Sequence, residues 1–153
     1  MPTVRDLLGR KRARGALGTD ENVFSASPDD TVLAAAQRMT ERGVGGLIVK
    51  EGDALAGIFT ERDILRRVVG GQRDPATTRV REVMTAPVLT VRPETLVAEC
   101  RALFTQRRIR HLPVIDAGGA VCGVVTSGDL LTFEADESRT MIAHLESYVY
   151  HSR

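Results

Sequence analysis

Two short segments of this sequence carry its clearest chemical capacity. Gly57-Ile58-Phe59-Thr60-Glu61-Arg62-Asp63 and Gly123-Val124-Val125-Thr126-Ser127-Gly128-Asp129 share the pattern Gly, two apolar residues, Thr, two variable residues, Asp. In each, the threonine stands where an apolar strand pattern gives way to a helical one. The first backbone N–H groups of a helix lack intrahelical partners and carry partial positive charge. Phosphate binds readily at such a place, and the threonine hydroxyl adds a donor. The aspartate three residues on falls in the first helical turn. The same spacing is also that of a capping box, with Thr at the N-cap and the carboxylate reaching back to its N–H. That role needs no ligand. The two readings are compatible, because a preorganised cap can rotate to meet one.

The elements that would position these residues occur twice. Gly, Thr and Asp recur at one offset, since Gly123 follows Gly57, Thr126 follows Thr60 and Asp129 follows Asp63 by the same interval of 66. Upstream, Gly43 to Val49 aligns with Arg108 to Val114 at an offset of 65. Further back, Ser27-Pro28-Asp29-Asp30-Thr31 resembles Arg92-Pro93-Glu94-Thr95. Three blocks in one order at a nearly constant interval indicate duplication. In the first copy, Asp29, Asp30 and Thr31 offer N-cap chemistry, Val32, Leu33, Ala36 and Met39 keep helical spacing, and Gly43 stops the helix. Leu47–Val49 and Leu55–Phe59 read as strands around a turn at Glu51-Gly52-Asp53. A second helix is expected from about Thr60 to Val69. The second copy repeats the plan, with Leu96, Cys100, Leu103 and Phe104 on one helical face. A short leading strand is expected near Val23-Phe24 and near Val88–Val91. The order is β-α-β-β-α, twice.

These patterns divide the chain into an N-terminal helix and basic linker over 1–22, a first repeat over 23–70, a linker over 71–82, a second repeat over 83–134, and a C-terminal amphipathic helix over 135–153. That last helix places Met141, Ile142, Leu145, Tyr148 and Val149 on one face. Its stripe is too narrow and too poor in basic residues for a membrane-surface helix.

With 153 residues, 42% hydrophobic and 27% charged, the chain can bury a real core and is not of disordered composition. A formal net charge of +1 supplies no global field for nucleic acid or membrane. No apolar run approaches the about 20 residues that span a bilayer, and Met1 to Gly18 lacks the apolar core of a signal peptide. A cytoplasmic location is expected. The only cysteines, Cys100 and Cys122, are too few for a disulfide framework and read as small, reduced core residues. Lys11 and Lys50 are the only lysines. The other basic residues are arginines, whose forks suit phosphate and carboxylate.

The Gly-hydrophobic-hydrophobic-Thr-x-x-Asp segments, Ile109-Arg110-His111-Leu112-Pro113-Val114 and Val83-Met84-Thr85 together resemble the CBS domain family, over about Val23 to Phe133. The flanking helices resemble those of stand-alone bacterial proteins with two such domains. The resemblance implies an α+β fold of two β-α-β-β-α repeats related by pseudo-twofold symmetry, with short N- and C-terminal helices. It also implies a homodimer, and binding of AMP, ATP, NAD(H)-type nucleotides or S-adenosylmethionine in clefts between the repeats. Thr60 and Thr126 would then hold phosphate, and Asp63 and Asp129 the vicinal ribose hydroxyls. Main-chain groups of Val44-Gly45 and of Arg110-His111 would line the adenine slot. Arg62, Arg108 and Arg110 would add phosphate contacts. The halves differ, Gly45-Gly46 in the first facing Arg110-His111 in the second. The second cleft is therefore expected to favour more phosphate.

Other signals are weaker. Arg10-Lys11-Arg12-Ala13-Arg14 reads as a solvated, flexible segment or as a phosphate or nucleic-acid arm. Arg107 reads as surface. His111 reads as a ligand contact or as a packed structural histidine. His144 and His151 lack companions at metal-ligand spacing. There is no Walker-type loop, no Gly-x-Ser-x-Gly elbow and no spare general base. The expectation is a non-enzymatic ligand sensor with no catalytic cofactor, whose regulated effector protein is unidentified. A nucleic-acid-binding accessory protein is the alternative.

Overall fold

Short apolar runs alternating with helical stripes give each repeat a small sheet with helices laid on it. The computed structural model describes residues 1–15 and 25–151. In the first repeat, β1 (Ser25–Ala26) pairs in parallel with β2 (Gly46–Glu51), and β2 pairs antiparallel with β3 (Ala54–Thr60). Helix α2 (Val32–Arg42) joins β1 to β2. The Thr31 hydroxyl caps it by accepting the Ala34 N–H at 3.1 Å, and Gly43 ends it at a left-handed φ of 64°. In the second repeat, helix α5 (Val97–Arg107) leads to β4 (His111–Ile115) and β5 (Val121–Thr126), an antiparallel pair. The leading strand expected over Val88–Val91 is reduced to one parallel bridge from Val91 to Val114. The expected strand at Val23-Phe24 lies outside the described residues, and β1 begins at Ser25.

The helices after the paired strands diverge. In the first repeat a short α3 (Glu61–Asp63) runs into a wider π-helical stretch, Ile64–Val69, where the Gly70 N–H donates to the Leu65 carbonyl at 2.9 Å. In the second, α6 (Ser127–His151) continues for 25 residues. The C-terminal helix expected over 135–153 is thus the distal part of the repeat's own helix, which is described to His151. Neither Gly nor Pro occurs between Leu130 and His151 to stop it.

Two lead-in segments cross over. Helix α1 (Val4–Ala13) precedes the first repeat in sequence but docks on the second, where Val4 and Arg5 N–H groups donate to the Thr95 and Pro93 carbonyls at 2.8 and 2.9 Å. Helix α4 (Val80–Val83) precedes the second repeat but docks on the first, where Val80 and Arg81 N–H groups donate to Asp30 and Pro28 carbonyls, both at 2.9 Å. The stretch read as linker is therefore ordered against the first repeat, with Thr78 buried and its carbonyl accepting from Val32.

The cores follow this exchange. Val4, Leu7 and Leu8 of α1 pack with Val97, Cys100, Leu112, Val125 and Phe133. Val80 and Val83 of α4 pack with Val32, Met39, Leu47 and Phe59. Ile48 of β2 meets Val121 and Val124 of β5 and joins the two sheets. Burial pushes the Cys100 thiol up to about 11, so it stays protonated and inert. Cys122 is half-buried, and neither cysteine is in a disulfide.

Leu7 is 1% exposed. Leu7→Ala should cost about 2–5 kcal/mol of stability in urea unfolding. A cost below about 1 kcal/mol would show that α1 is not integral to the second core.

Candidate functional site

Both repeats end their last strand in the same local device. The Thr60 N–H donates to Asp63 Oδ2 at 2.9 Å, and the Thr60 hydroxyl to the same oxygen at 3.2 Å. The Thr126 N–H donates to Asp129 Oδ2 at 2.9 Å, and the Asp129 N–H to the Thr126 hydroxyl at 3.0 Å. The capping role read from the sequence is thus present twice.

Around Asp63 more is built. Thr85, just beyond α4, crosses β3. Its N–H and carbonyl pair with Ile58 at 2.8 and 3.0 Å, and its hydroxyl donates to Asp63 Oδ1 at 2.8 Å. Gly57 permits this approach, because a Cβ there would stand 2.8 Å from the Thr85 carbonyl oxygen and from Met84 Sδ. Asp63 is 5% exposed, and the nearest cation is the Arg67 guanidinium, whose Nε lies 4.0 Å from Oδ1.

Thr60, Asp63 and Thr85 form one wall of a cleft of about 460 Å³, within the size range of small-molecule sites. Ile58, Pro87, Val88, Leu89 and Ile109 supply apolar lining. Arg62, Arg107, Arg108, Arg110 and His111 complete it, and all four arginines are exposed. Asp63 is the one carboxylate among the lining residues, so the cleft mouth is strongly positive. Arg108 holds a left-handed φ of 52° as it ends α5, which turns the chain into the cleft edge.

His111 sits between the halves. A Cβ on Gly46 would lie 3.1 Å from its Nε2 and 3.2 Å from its Cε1, so this edge of the ring lies close against the first repeat's backbone. Burial lowers its pKa below the ordinary 6.5; Asp129 and Glu61 pull upward, and Lys11 and Arg110 downward.

Of the residues named from sequence, Thr60, Arg62, Asp63, Arg108, Arg110 and His111 meet in this cleft. Arg110 and His111 thus line a cleft with the first repeat's Thr60 and Asp63, while also abutting Ser127 and Thr126 of their own repeat. Val44, Gly45, Thr126 and Asp129 do not line it. Gly45 instead accepts the Glu61 N–H at 3.0 Å, and Arg110 accepts the Ser127 N–H at the equivalent place, also at 3.0 Å. Sequence reasoning missed Arg107, Thr85 and the Pro87–Leu89 floor. Thr85 was within reach, because it closes the Val83-Met84-Thr85 segment.

The basic cluster is not a free arm. It forms the last turn of α1. Arg10 pairs with Glu137 and stacks 4.4 Å from the Phe133 ring centroid, and Arg14 pairs with Asp136. Lys11 is buried against Asp129 and the Val124 carbonyl, at 2.6 and 3.1 Å. Among the described residues, no cluster of His, Cys, Asp and Glu could hold a metal ion, and no helix is long and apolar enough to cross a membrane.

The fold and the doubled device define a class of regulatory module, and comparison with known proteins agrees. The CBS domain profile matches residues 15–70 and 80–136, and the chain belongs to that family as a tandem pair. It is 42% identical over 152 residues to the mitochondrial CBS domain-containing protein CBSX3 of Arabidopsis thaliana, covering 96% of this chain and 71% of that protein. It is 42% identical, at a TM-score of 0.75, to a putative signal-transduction protein with CBS domains from Burkholderia ambifaria, covering 84% of this chain and 90% of that one. CBSX2, solved in complex with AMP, shares the fold at a TM-score of 0.73 and 23% identity, covering 90% of this chain and 99% of that one.

Because His111 titrates lower folded than unfolded, the unfolded chain binds more protons below pH 6.5. Its contribution to stability is complete above the unfolded value and is lost as pH falls through the folded one. The gap in Tm between wild type and His111→Gln should therefore shrink or reverse on acidification. A gap that does not change with pH would contradict this.

Proposed function

We propose that this chain is a regulatory sensor that binds an adenine nucleotide of the AMP, ATP or NAD(H) type between its repeats, works as a homodimer and catalyses no reaction. The observation that carries the reading is the composition of one cleft. A buried carboxylate and a hydroxyl stand on one wall, four guanidinium groups gather at the mouth, and an apolar floor lies between them. Each portion suits a different part of one ligand. Guanidinium forks match phosphate oxygens. The Ile58, Pro87 and Leu89 surfaces suit a purine face. Asp63 can turn its acceptor oxygens toward vicinal hydroxyls, at the expense of part of its cap. The AMP complex of CBSX2 supports the ligand class.

The homodimer rests on apolar exposure. Met141, Ile142 and Leu145 on distal α6 are 67%, 55% and 57% exposed, and Leu131 nearer its start is 68% exposed. A contiguous apolar helix face of this kind marks an association surface. The internal pairing of Arg10, Lys11 and Arg14 argues against a nucleic-acid arm.

Calorimetric titration with AMP, ATP, NADH and S-adenosylmethionine tests the ligand. Asp63→Ala should weaken binding about 10- to 100-fold, the value of about 1.5–3 kcal/mol for a hydrogen bond to a charged group. If affinity held while only thermal stability fell, Asp63 would be a cap and nothing more. Separately, Ile142→Glu with Leu145→Glu should halve the mass seen by light scattering, and an unchanged mass would place the association surface elsewhere.

A further inference from the structure

The two aspartates at the repeat ends are satisfied by unlike partners. In the first repeat, the Ile58 carbonyl and the Asp63 carboxylate accept from the N–H and hydroxyl of Thr85, both at 2.8 Å. Their counterparts 66 residues on are the Val124 carbonyl and the Asp129 carboxylate. Both accept from the single ammonium of Lys11, at 3.1 and 2.6 Å. One lysine of the first lead-in thus bonds both the carbonyl and the carboxylate whose counterparts a threonine of the second lead-in bonds, but at the capping oxygen of Asp129, where Thr85 takes the other oxygen of Asp63.

The exchange changes the chemistry. Thr85 is a neutral partner for Asp63, and the nearest cation, the 50% exposed Arg67, stands 4.0 Å away. Lys11 is a cation whose side chain is 3% exposed, and it neutralises Asp129 directly. The buried ammonium shares Asp129 Oδ2 with the Thr126 N–H, so a ligand hydroxyl would have to compete there with a charge-assisted bond. Nor is Lys11 a loose tail. Leu7 and Leu8 are buried in the second core, and Arg10 and Arg14 pair with acids of α6. Displacing Lys11 would strand a buried charge.

We propose that Lys11 is a built-in occupant of the second cleft, so that the chain takes one nucleotide, at Asp63, and refuses a second at Asp129 while α1 is docked. This rests on the nucleotide reading of the first cleft.

Two measurements test it on the full chain. Calorimetry with AMP and with ATP should give one nucleotide per chain, bound about 10- to 100-fold more weakly in Asp63→Ala. Lysine acetylation read by mass spectrometry uses the only two lysines, Lys11 and Lys50. Lys50 should label, whereas Lys11 should stay protected with and without saturating nucleotide. Lys11→Met, provided its circular dichroism matches wild type, should raise the count to two. Two nucleotides on wild type, labelling of Lys11 on adding nucleotide, or a folded Lys11→Met that still binds one would each overturn this inference and leave the nucleotide reading standing. Absence of any binding would overturn both.

Discussion

A buried carboxylate must find donors, and in this molecule that requirement organises the space around it. Asp63 collects the Thr60 N–H, the Thr60 hydroxyl and the Thr85 hydroxyl. The first two hold the end of β3 to the start of a helix. The third reaches a segment 22 residues away and pins it across β3. Since Pro87, Val88 and Leu89 follow directly on Thr85, the floor of the cleft is located by the same carboxylate that forms its wall. Gly57 belongs to this arrangement as much as Asp63 does, because only a residue without Cβ lets the Thr85 carbonyl come so near. Cap and cleft are therefore consequences of one set of hydrogen bonds rather than competing accounts of it.

Duplication supplied two copies of that carboxylate, and the chain satisfies them differently. Asp63 meets a neutral hydroxyl beside a positive mouth; Asp129 is ion-paired with a buried ammonium. The difference traces to the lead-ins. Helix α4 spans Val80–Val83, whereas α1 spans Val4–Ala13, and the extra turns carry Lys11 to the end of β5. Pseudo-symmetry in the backbone is thus compatible with strong asymmetry in the chemistry. The seam of Ile48, Val121 and Val124 fixes the halves to one another, so that Arg107 to His111 of the second repeat complete a cleft begun by the first.

Much of this was legible because it is local. The Thr-x-x-Asp caps, the Gly43 stop and the strand pairs depend on neighbours a few residues apart, and the repeat interval exposed them. What escaped depends on crossing between halves. Val4-Arg5-Asp6-Leu7 and Val80-Arg81-Glu82-Val83 form a fourth matched block, but at an offset of 76. The longer first lead-in hides it from a search at 65 or 66. With that block unseen, the basic residues of α1 read as a solvated arm, and residues 71–81 as a linker. The first are held by donors and acceptors on the second repeat, and the second by those on the first. Arg110-His111 stay beside Ser127 and Thr126 of their own repeat and also line the cleft with Asp63, a reach across the halves that proximity in sequence does not show. The long α6 escaped differently, since a polar stretch between two apolar patterns looks like a boundary until a helix breaker is sought and none is found.

A sensor must convert occupancy into a change that something else can read, and a ligand can shift an equilibrium only through contacts that differ between its states. The cleft touches the long helix at a defined point. The Arg110 carbonyl accepts the Ser127 N–H at 3.0 Å, in the first turn of α6, while the Arg110 side chain lines the cleft. Beside it, His111 packs on Gly46 and feels both Asp129 and Glu61. Phosphate drawn to Arg110 would therefore act on a residue whose backbone is bonded to the start of α6, and the distal half of that helix bears the exposed apolar face. The first repeat has the matching bond, from Glu61 N–H to Gly45, yet Gly45 has no side chain to meet a ligand, and its helix ends within a few turns. Only the second repeat couples a cleft-lining side chain to a helix long enough to carry a displacement away from the cleft.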